Sequence, residues 1–224
     1  MIEIDAVVFD MDGLLLDTES LAQRTWGLAA VDCGFDLDET LFKQLIGRTR
    51  RESGEILERA FGSGFLLDEF RRRCSHHWED CLASGGIPVK PGAEELLDLL
   101  DEVALPRAVA TSTGRAGAER SLSLAGLLDR FDHVVSGDMV ERGKPEPDIY
   151  LLAAERLDVD PSRCLALEDS HLGVRAAHAA GMTTIMVPDL LPPIEEIERR
   201  THAIVPSLHE VRGILADTLR QRER

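Results

Sequence analysis

Ala6-Val7-Val8-Phe9-Asp10-Met11-Asp12-Gly13 is the stretch on which the reading of this chain turns. A short β-branched and aromatic run ending in two carboxylates predicts a buried strand that carries both acids at its tip. Side chains at i and i+2 of a strand share a face, so Asp10 and Asp12 are expected to meet one site. Two like charges that close repel, and one is driven neutral unless a cation lies between them. The pair suits a nucleophile beside an acid/base, a magnesium site, or both. Asp and Gly are also common turn residues, so taken alone these letters favour a solvated turn.

The rest of the chain supplies further strands. From about residue 91 strand and helix alternate: helix over 92–103, strand 107–111, helix 115–126, strand 133–136, helix 146–157 and strand 164–167. A helix over 172–180 stopped by Gly181, then strands 183–187 and 203–205, complete the pattern. Repeated βα units predict a doubly wound parallel sheet, whose ligands sit at the carboxyl ends of the strands. Residues 17–88 read differently, as helices over 18–32, 38–46, 49–61 and 67–83, broken at Gly34, Gly47 and Gly62-Ser63-Gly64. Ser84-Gly85-Gly86-Ile87-Pro88 suits a hinge. The expected fold class is therefore α/β. A Rossmann-like core from 1–16 and 89–224 carries an inserted helical cap, 17–88, acting as a lid that excludes water.

The 224 residues are 44% hydrophobic and 29% charged, with a formal net charge of −16. That surface repels nucleic acid and anionic membrane, both of which rely on clustered Lys and Arg. Arg71-Arg72-Arg73 is too short and too surrounded by acids to reverse this. No apolar run approaches the roughly 20 residues that span a bilayer. The acidic start does not read as a secretory signal, and a cytoplasmic location with reduced cysteines is expected. Oligomeric state is not readable, with a monomer the default. A small anionic ligand needs a metal or a few placed cations to overcome the field.

Polar groups recur at the predicted strand ends: Asp10 and Asp12, Thr111-Ser112-Thr113-Gly114, Lys144 in Gly143-Lys144-Pro145, and Glu168-Asp169-Ser170. Each has an innocent explanation, as a helix cap for Thr111-Ser112 and Glu168-Asp169 or a solvated lysine for Lys144. Four such groups on one parallel sheet converge on one crevice, and coincidence becomes the weaker account. His76-His77 point to different helix faces and make a poor metal pair. Trp26, Trp78 and Tyr150 read as packing.

With these motifs in this order, the chain resembles the haloacid dehalogenase superfamily in its phosphatase branch, near the β-phosphoglucomutase-like subfamily with a helical cap. Asp10-Met11-Asp12-Gly13-Leu14-Leu15 is similar to its first motif, Ala110-Thr111-Ser112 to its second, Lys144 to its third and Glu168-Asp169 to its fourth. The resemblance implies a phosphomonoester hydrolase acting on a small sugar or polyol phosphate. It assigns Asp10 as nucleophile, Asp12 as acid/base and Lys144 as charge screen. It implies Mg2+ held by the Asp10 carboxylate, the Asp12 main-chain carbonyl and Asp169, with Glu168 assisting. Thr111 and the Ser112 amide would hold phosphoryl oxygens, and Thr18 and Arg50 would meet substrate in the cap. Alternatives are a sugar phosphate mutase and a non-catalytic phosphometabolite-binding protein. The mutase places a histidine four residues beyond the Thr18 position, where this chain has Ala22.

Overall fold

The computed structural model describes residues 3–45 and 50–222. In chain order the elements are β1 (Ala6–Phe9), α1 (Thr18–Asp32), α2 (Glu39–Leu45), α3 (Arg50–Phe61), α4 (Leu67–Gly85), α5 (Ala93–Glu102) and β2 (Arg107–Thr111). There follow α6 (Arg115–Leu124), β3 (His133–Ser136), α7 (Asp148–Leu157), β4 (Cys164–Glu168), α8 (His171–Ala179), β5 (Thr183–Met186), α9 (Glu195–Glu198), β6 (Ala203–Ile204) and α10 (Leu208–Arg222). The chain divides into two compact units, Met1–Asp17 with Pro88–Arg224, and Thr18–Ile87.

The first unit is a parallel sheet of six strands in the order β3-β2-β1-β4-β5-β6, flanked by helices. A sheet covered on both faces needs near-continuous apolar strands, which is why Ala6–Phe9 and Cys164–Glu168 are buried at every position. Ala6, Val8, Ala108, Ala110 and Ala166 pack with Ile149, Tyr150, Ala153 and Ala154 of α7 and with Ala176 and Ala177 of α8. Small residues on the strands let these helices sit close. The predicted strands are present, with β4 one residue longer, to Glu168, and β5 and β6 each one residue shorter, to Met186 and Ile204. The helix expected from 146 starts at Asp148, because the Glu146 amide bonds Gly143 O in a turn (3.0 Å). α9 and α10 were not expected from the sequence.

The second unit is helical. Its core is Ala29, Ala30, Leu45, Leu57, Phe65 and Phe70. Aromatic rings link it: Phe35 stacks on Phe61 at 4.8 Å between centroids, and Trp26 meets Phe42 and Phe70 edge-on at 6.0 and 6.1 Å. Trp26 is thus packing, as expected. His76 pairs with Asp80 and His77 with Asp32, each at 2.8 Å, so the two histidines share no site. The expected break at Gly47 lies outside the described residues. The expected hinge begins later than read: α4 continues through Ser84 and Gly85, and Gly86 then takes φ +71°.

Candidate active site

The crevice forms where the strand order reverses. β1 pairs with both β2 and β4, with Phe9 opposite Val109 and Leu167. The Asp10 amide donates to Leu167 O (2.9 Å), so pairing continues one residue past β1 and sets Asp10 beside Glu168. This is the topological switch point of a doubly wound sheet, where its ligands bind. The chain then turns tightly: the Leu15 and Leu16 amides both donate to Met11 O, and the Gly13 amide donates to Leu16 O. Gly13 sits at φ +85°, and a Cβ there would overlap Asp169 Oδ2 and lie 3.2 Å from Asp189 Oδ2. Only glycine fits both demands.

Because β1 ends at Phe9, Asp10 and Asp12 lie beyond the strand, and each has its own partners. Lys144 Nζ donates to Asp10 Oδ1 and to Glu168 Oε1 (2.6 Å). Its ammonium also stands 5.1 Å from the centroid of the Tyr150 ring. Lys144 is buried, which removes the solvated-lysine explanation. Tyr150, read from sequence as packing, also donates from its hydroxyl to Glu168 Oε1 (2.7 Å). Glu168 Oε2 accepts from the Asp169 amide, the Ser170 amide and the Ser170 hydroxyl, each at 3.0 Å. Ser170, not Glu168-Asp169, is the N-cap of α8, accepting from the Gly173 amide (3.1 Å). A Cβ on Gly173 would fall inside the Glu168 carboxylate. A glycine within a helix costs about 1 kcal/mol, and here the close approach of Glu168 requires it.

Asp12 is held from the second strand end. The Thr111 and Thr113 hydroxyls both donate to its Oδ2, at 3.2 and 2.8 Å, and the Thr113 amide donates to Thr111 Oγ1 (3.0 Å). Thr111 is fully buried and Ser112 is exposed. Neither caps α6, whose N-cap is Gly114. Thr113 was not singled out from sequence; its place two residues beyond Thr111 is the signal that could have found it.

Three carboxylates face one ammonium. Burial pushes the Asp10 carboxyl well above the usual range; Lys144 opposes this, while Glu168 and Asp12 add to it. Burial, then Glu168 and Asp10, raise Asp169 in the same direction. For Lys144, burial works against the charged form, but Asp10 and Glu168 outweigh it and hold the ammonium above its ordinary range. Glu168 runs the other way: burial opposes its charge, but Lys144 and the donors around it bring it below the usual range. Asp10, Glu168 and Asp169 each offer an oxygen within 4.8 Å of the others. An all-oxygen donor set of this charge fits a hard divalent cation.

Of the two cap residues expected to meet substrate, Thr18 is buried and its Oγ1 has no hydrogen-bond partner among the described residues. The Arg50 side chain lies outside what is described. Within the helical unit a cavity of about 420 Å³ is lined by Trp26, Phe42, Leu57 and Phe70, with Glu19, Ser53 and Arg71 supplying polar groups. Among the described residues, no helix is long and apolar enough to cross a membrane.

The haloacid dehalogenase-like hydrolase family model matches residues 4–181. A Thermotoga maritima protein named phosphorylated carbohydrates phosphatase is 37% identical over 182 residues, 81% of this chain and 84% of that protein. A solved CbbY variant from Rhodobacter sphaeroides, in complex with xylulose-(1,5)bisphosphate, superposes with a TM-score of 0.75 at 30% identity, covering 92% of this chain and 96% of that one. The β-phosphoglucomutase of Clostridium difficile gives 0.75 at 25% identity, with 99% and 100% covered. The chain belongs to the haloacid dehalogenase-like hydrolase family.

Proposed function

We propose that this chain is a magnesium-dependent phosphatase of a small sugar or polyol phosphate, working through a phosphoryl group carried on Asp10. The observation that carries the reading is the set of Asp10, Lys144, Glu168 and Asp169 gathered at the switch point, with Asp12 fixed beside it by two threonines. Asp10, the Asp12 main-chain carbonyl and Asp169 would hold Mg2+, which offsets charge on the nucleophile and the phosphoryl oxygens. Glu168 adds charge; to coordinate directly it would have to give up one of the five donors it already accepts.

Phosphoryl transfer asks a protein mainly for positioning and charge neutralisation. The Asp10 carboxylate attacks phosphorus, the ester P–O bond breaks, and the leaving alkoxide takes a proton from Asp12. Asp12 then takes a proton from the water that attacks the acyl phosphate, releasing phosphate and restoring Asp10. Thr111 and Thr113 occupy Asp12 Oδ2, which leaves Oδ1 as the oxygen that gives and takes the proton. This acid/base help is worth about 10²–10⁴-fold. Lys144 keeps Asp10 aimed and balances charge; the Ser112 amide receives a phosphoryl oxygen, and Thr111 receives another by turning its hydroxyl from Asp12 Oδ2, which Thr113 continues to hold.

Substrate choice is assigned to the helical unit, through Thr18 and Arg50. The names of the phosphatase and CbbY relatives support a phosphorylated carbohydrate, and the acidic surface disfavours nucleic acid and membrane. Release of phosphate from p-nitrophenyl phosphate, abolished by EDTA and restored by Mg2+, tests the chemistry. A panel of sugar, polyol, glycolate and nucleotide monophosphates then tests the substrate class. No release from any of them at saturating Mg2+ contradicts the reading. Likeness to the C. difficile mutase supports a second reading, sugar phosphate mutase, which Ala22 opposes. A coupled assay on β-glucose 1-phosphate separates the two.

A further inference from the structure

Asp189, in the segment after β5, is a carboxylate that the chemistry above leaves unused. Its Oδ1 accepts from Lys90 Nζ at 2.7 Å. Its Oδ2 is buried and has no hydrogen-bond partner among the described residues. A buried charged acceptor left unfilled is costly, so such an atom marks a place where a donor is due. The space it faces is shared: Asp189 Oδ2 and Asp169 Oδ2 both come up against the point where a Gly13 Cβ would stand. Two carboxylate oxygens that converge there repel, and a cation or a hydrogen-bond donor between them relieves this.

The backbone sets Asp189 in place from two directions. The Val187 amide donates to Glu168 O (2.7 Å), so the segment leaving β5 is tied to the residue before Asp169. The Lys90 amide donates to Leu15 O (2.8 Å), which ties the partner lysine to the turn that carries Gly13. Asp189 nonetheless stands outside the group of Asp10, Glu168 and Asp169, whose oxygens all lie within 4.8 Å of one another. A carboxylate that flanks such a group without joining it can act through a water that the ion carries. Magnesium keeps several of its waters, and groups that orient what the ion binds change metal affinity by about 10–100-fold.

We propose that Asp189 is a positioning residue whose Oδ2 accepts a hydrogen bond from a water carried by the divalent cation at Asp10 and Asp169, while Lys90 pairs with its other oxygen. This rests on the metal-dependent reading above.

The test is Mn2+ binding, followed by the loss of the free-ion paramagnetic resonance signal and by Mg2+ competition, on the wild type, Asp189→Asn, Lys90→Met and Asp169→Asn. Asp189→Asn should bind about 10-fold more weakly, while Lys90→Met, which keeps the carboxylate, should stay within about twofold of wild type, well short of that 10-fold. Asp189→Ser must show the same weakening as Asp189→Asn, with thermal melts confirming the fold. Unchanged affinity in Asp189→Asn overturns the inference, as does equal weakening in Lys90→Met, which would reduce the pair to a loop clasp. If Asp169→Asn abolishes binding while Asp189→Asn leaves the affinity unchanged, this inference fails and the metal reading stands. If the wild type binds no Mn2+, the metal reading itself fails.

Discussion

Charge in the crevice of the parallel-sheet unit is buried and shared, whereas in the helical unit it is paired at the surface. The Lys144 side chain is 6% exposed and serves Asp10 and Glu168, which are 9% and 0% exposed. Arg73, 43% exposed, serves Asp32 and Glu69. Both arginine and lysine hold two acids, yet only the lysine stands in for solvent. A buried charge depends on its partners for its whole stabilisation, so the network must be complete before it is useful. Exposed pairs can be rearranged at little cost. Chemistry is thus placed where the scaffold is least forgiving, and the helical unit is left free to vary.

The largest expected effect is at Lys144. Lys144→Met leaves Asp10 and Glu168 buried without their cation, and breaking such a group costs about 3–5 kcal/mol. Urea unfolding should show this loss, while Arg73→Met should leave the midpoint unchanged. Equal shifts would erase the contrast. The sign with pH follows from the raised Lys144 value. Its stabilisation is whole below about 10.5 and is lost as pH rises through the higher folded value, so wild type and Lys144→Met should converge in strong alkali.

Glycines sharpen the contrast next. Gly173→Ala drives a methyl into the Glu168 carboxylate and should destabilise by several kcal/mol, on the order of a large overpacking change. Gly27 in α1 has nothing within 4 Å of where its Cβ would stand, and Gly27→Ala should stabilise by about 0.5–1 kcal/mol. Thermal melts of both variants decide the point. A stable Gly173→Ala protein would mean that Glu168 is not held as described.

The smallest effect concerns a surface pair outside both the crevice and the helical unit. Arg175 holds the Glu196 carboxyl down to about 2. A lowered value contributes stability above about 4.5 that is lost as pH falls through about 2. Wild type should therefore exceed Arg175→Gln at neutral pH, the gap closing in acid and shrinking with salt. A gap that widened in acid would reverse the assignment.

The polar ends of the strands were legible because a buried parallel strand must be apolar until it reaches its ligand. Ala6–Phe9 and Cys164–Leu167 announce Asp10 and Glu168 by contrast. Of the partners of those acids, Lys144 was legible at its own strand end, and the others were not. Tyr150 lies on an apolar helix face, and nothing near it in sequence shows that its hydroxyl reaches Glu168 eighteen residues away. Asp189 and Lys90 are 99 residues apart and become neighbours only when the sheet forms. The i, i+2 argument for Asp10 and Asp12 rested on a strand geometry that the chain does not use, since β1 stops at Phe9. α10 carries Leu208, Val211 and Leu215 at the 3/4 spacing of a helix, a signal that the reading passed over.

The account stands on Asp10 as the atom donor that takes up phosphorus. Rapid quench of Asp12→Ala with p-nitrophenyl phosphate and Mg2+, followed by peptide mass spectrometry, tests it most directly. A phosphoryl adduct on the peptide carrying Asp10, labile to hydroxylamine and absent in Asp10→Asn, is the predicted result. Phosphate release at wild-type rates from Asp10→Asn, with no adduct on any peptide, would contradict it.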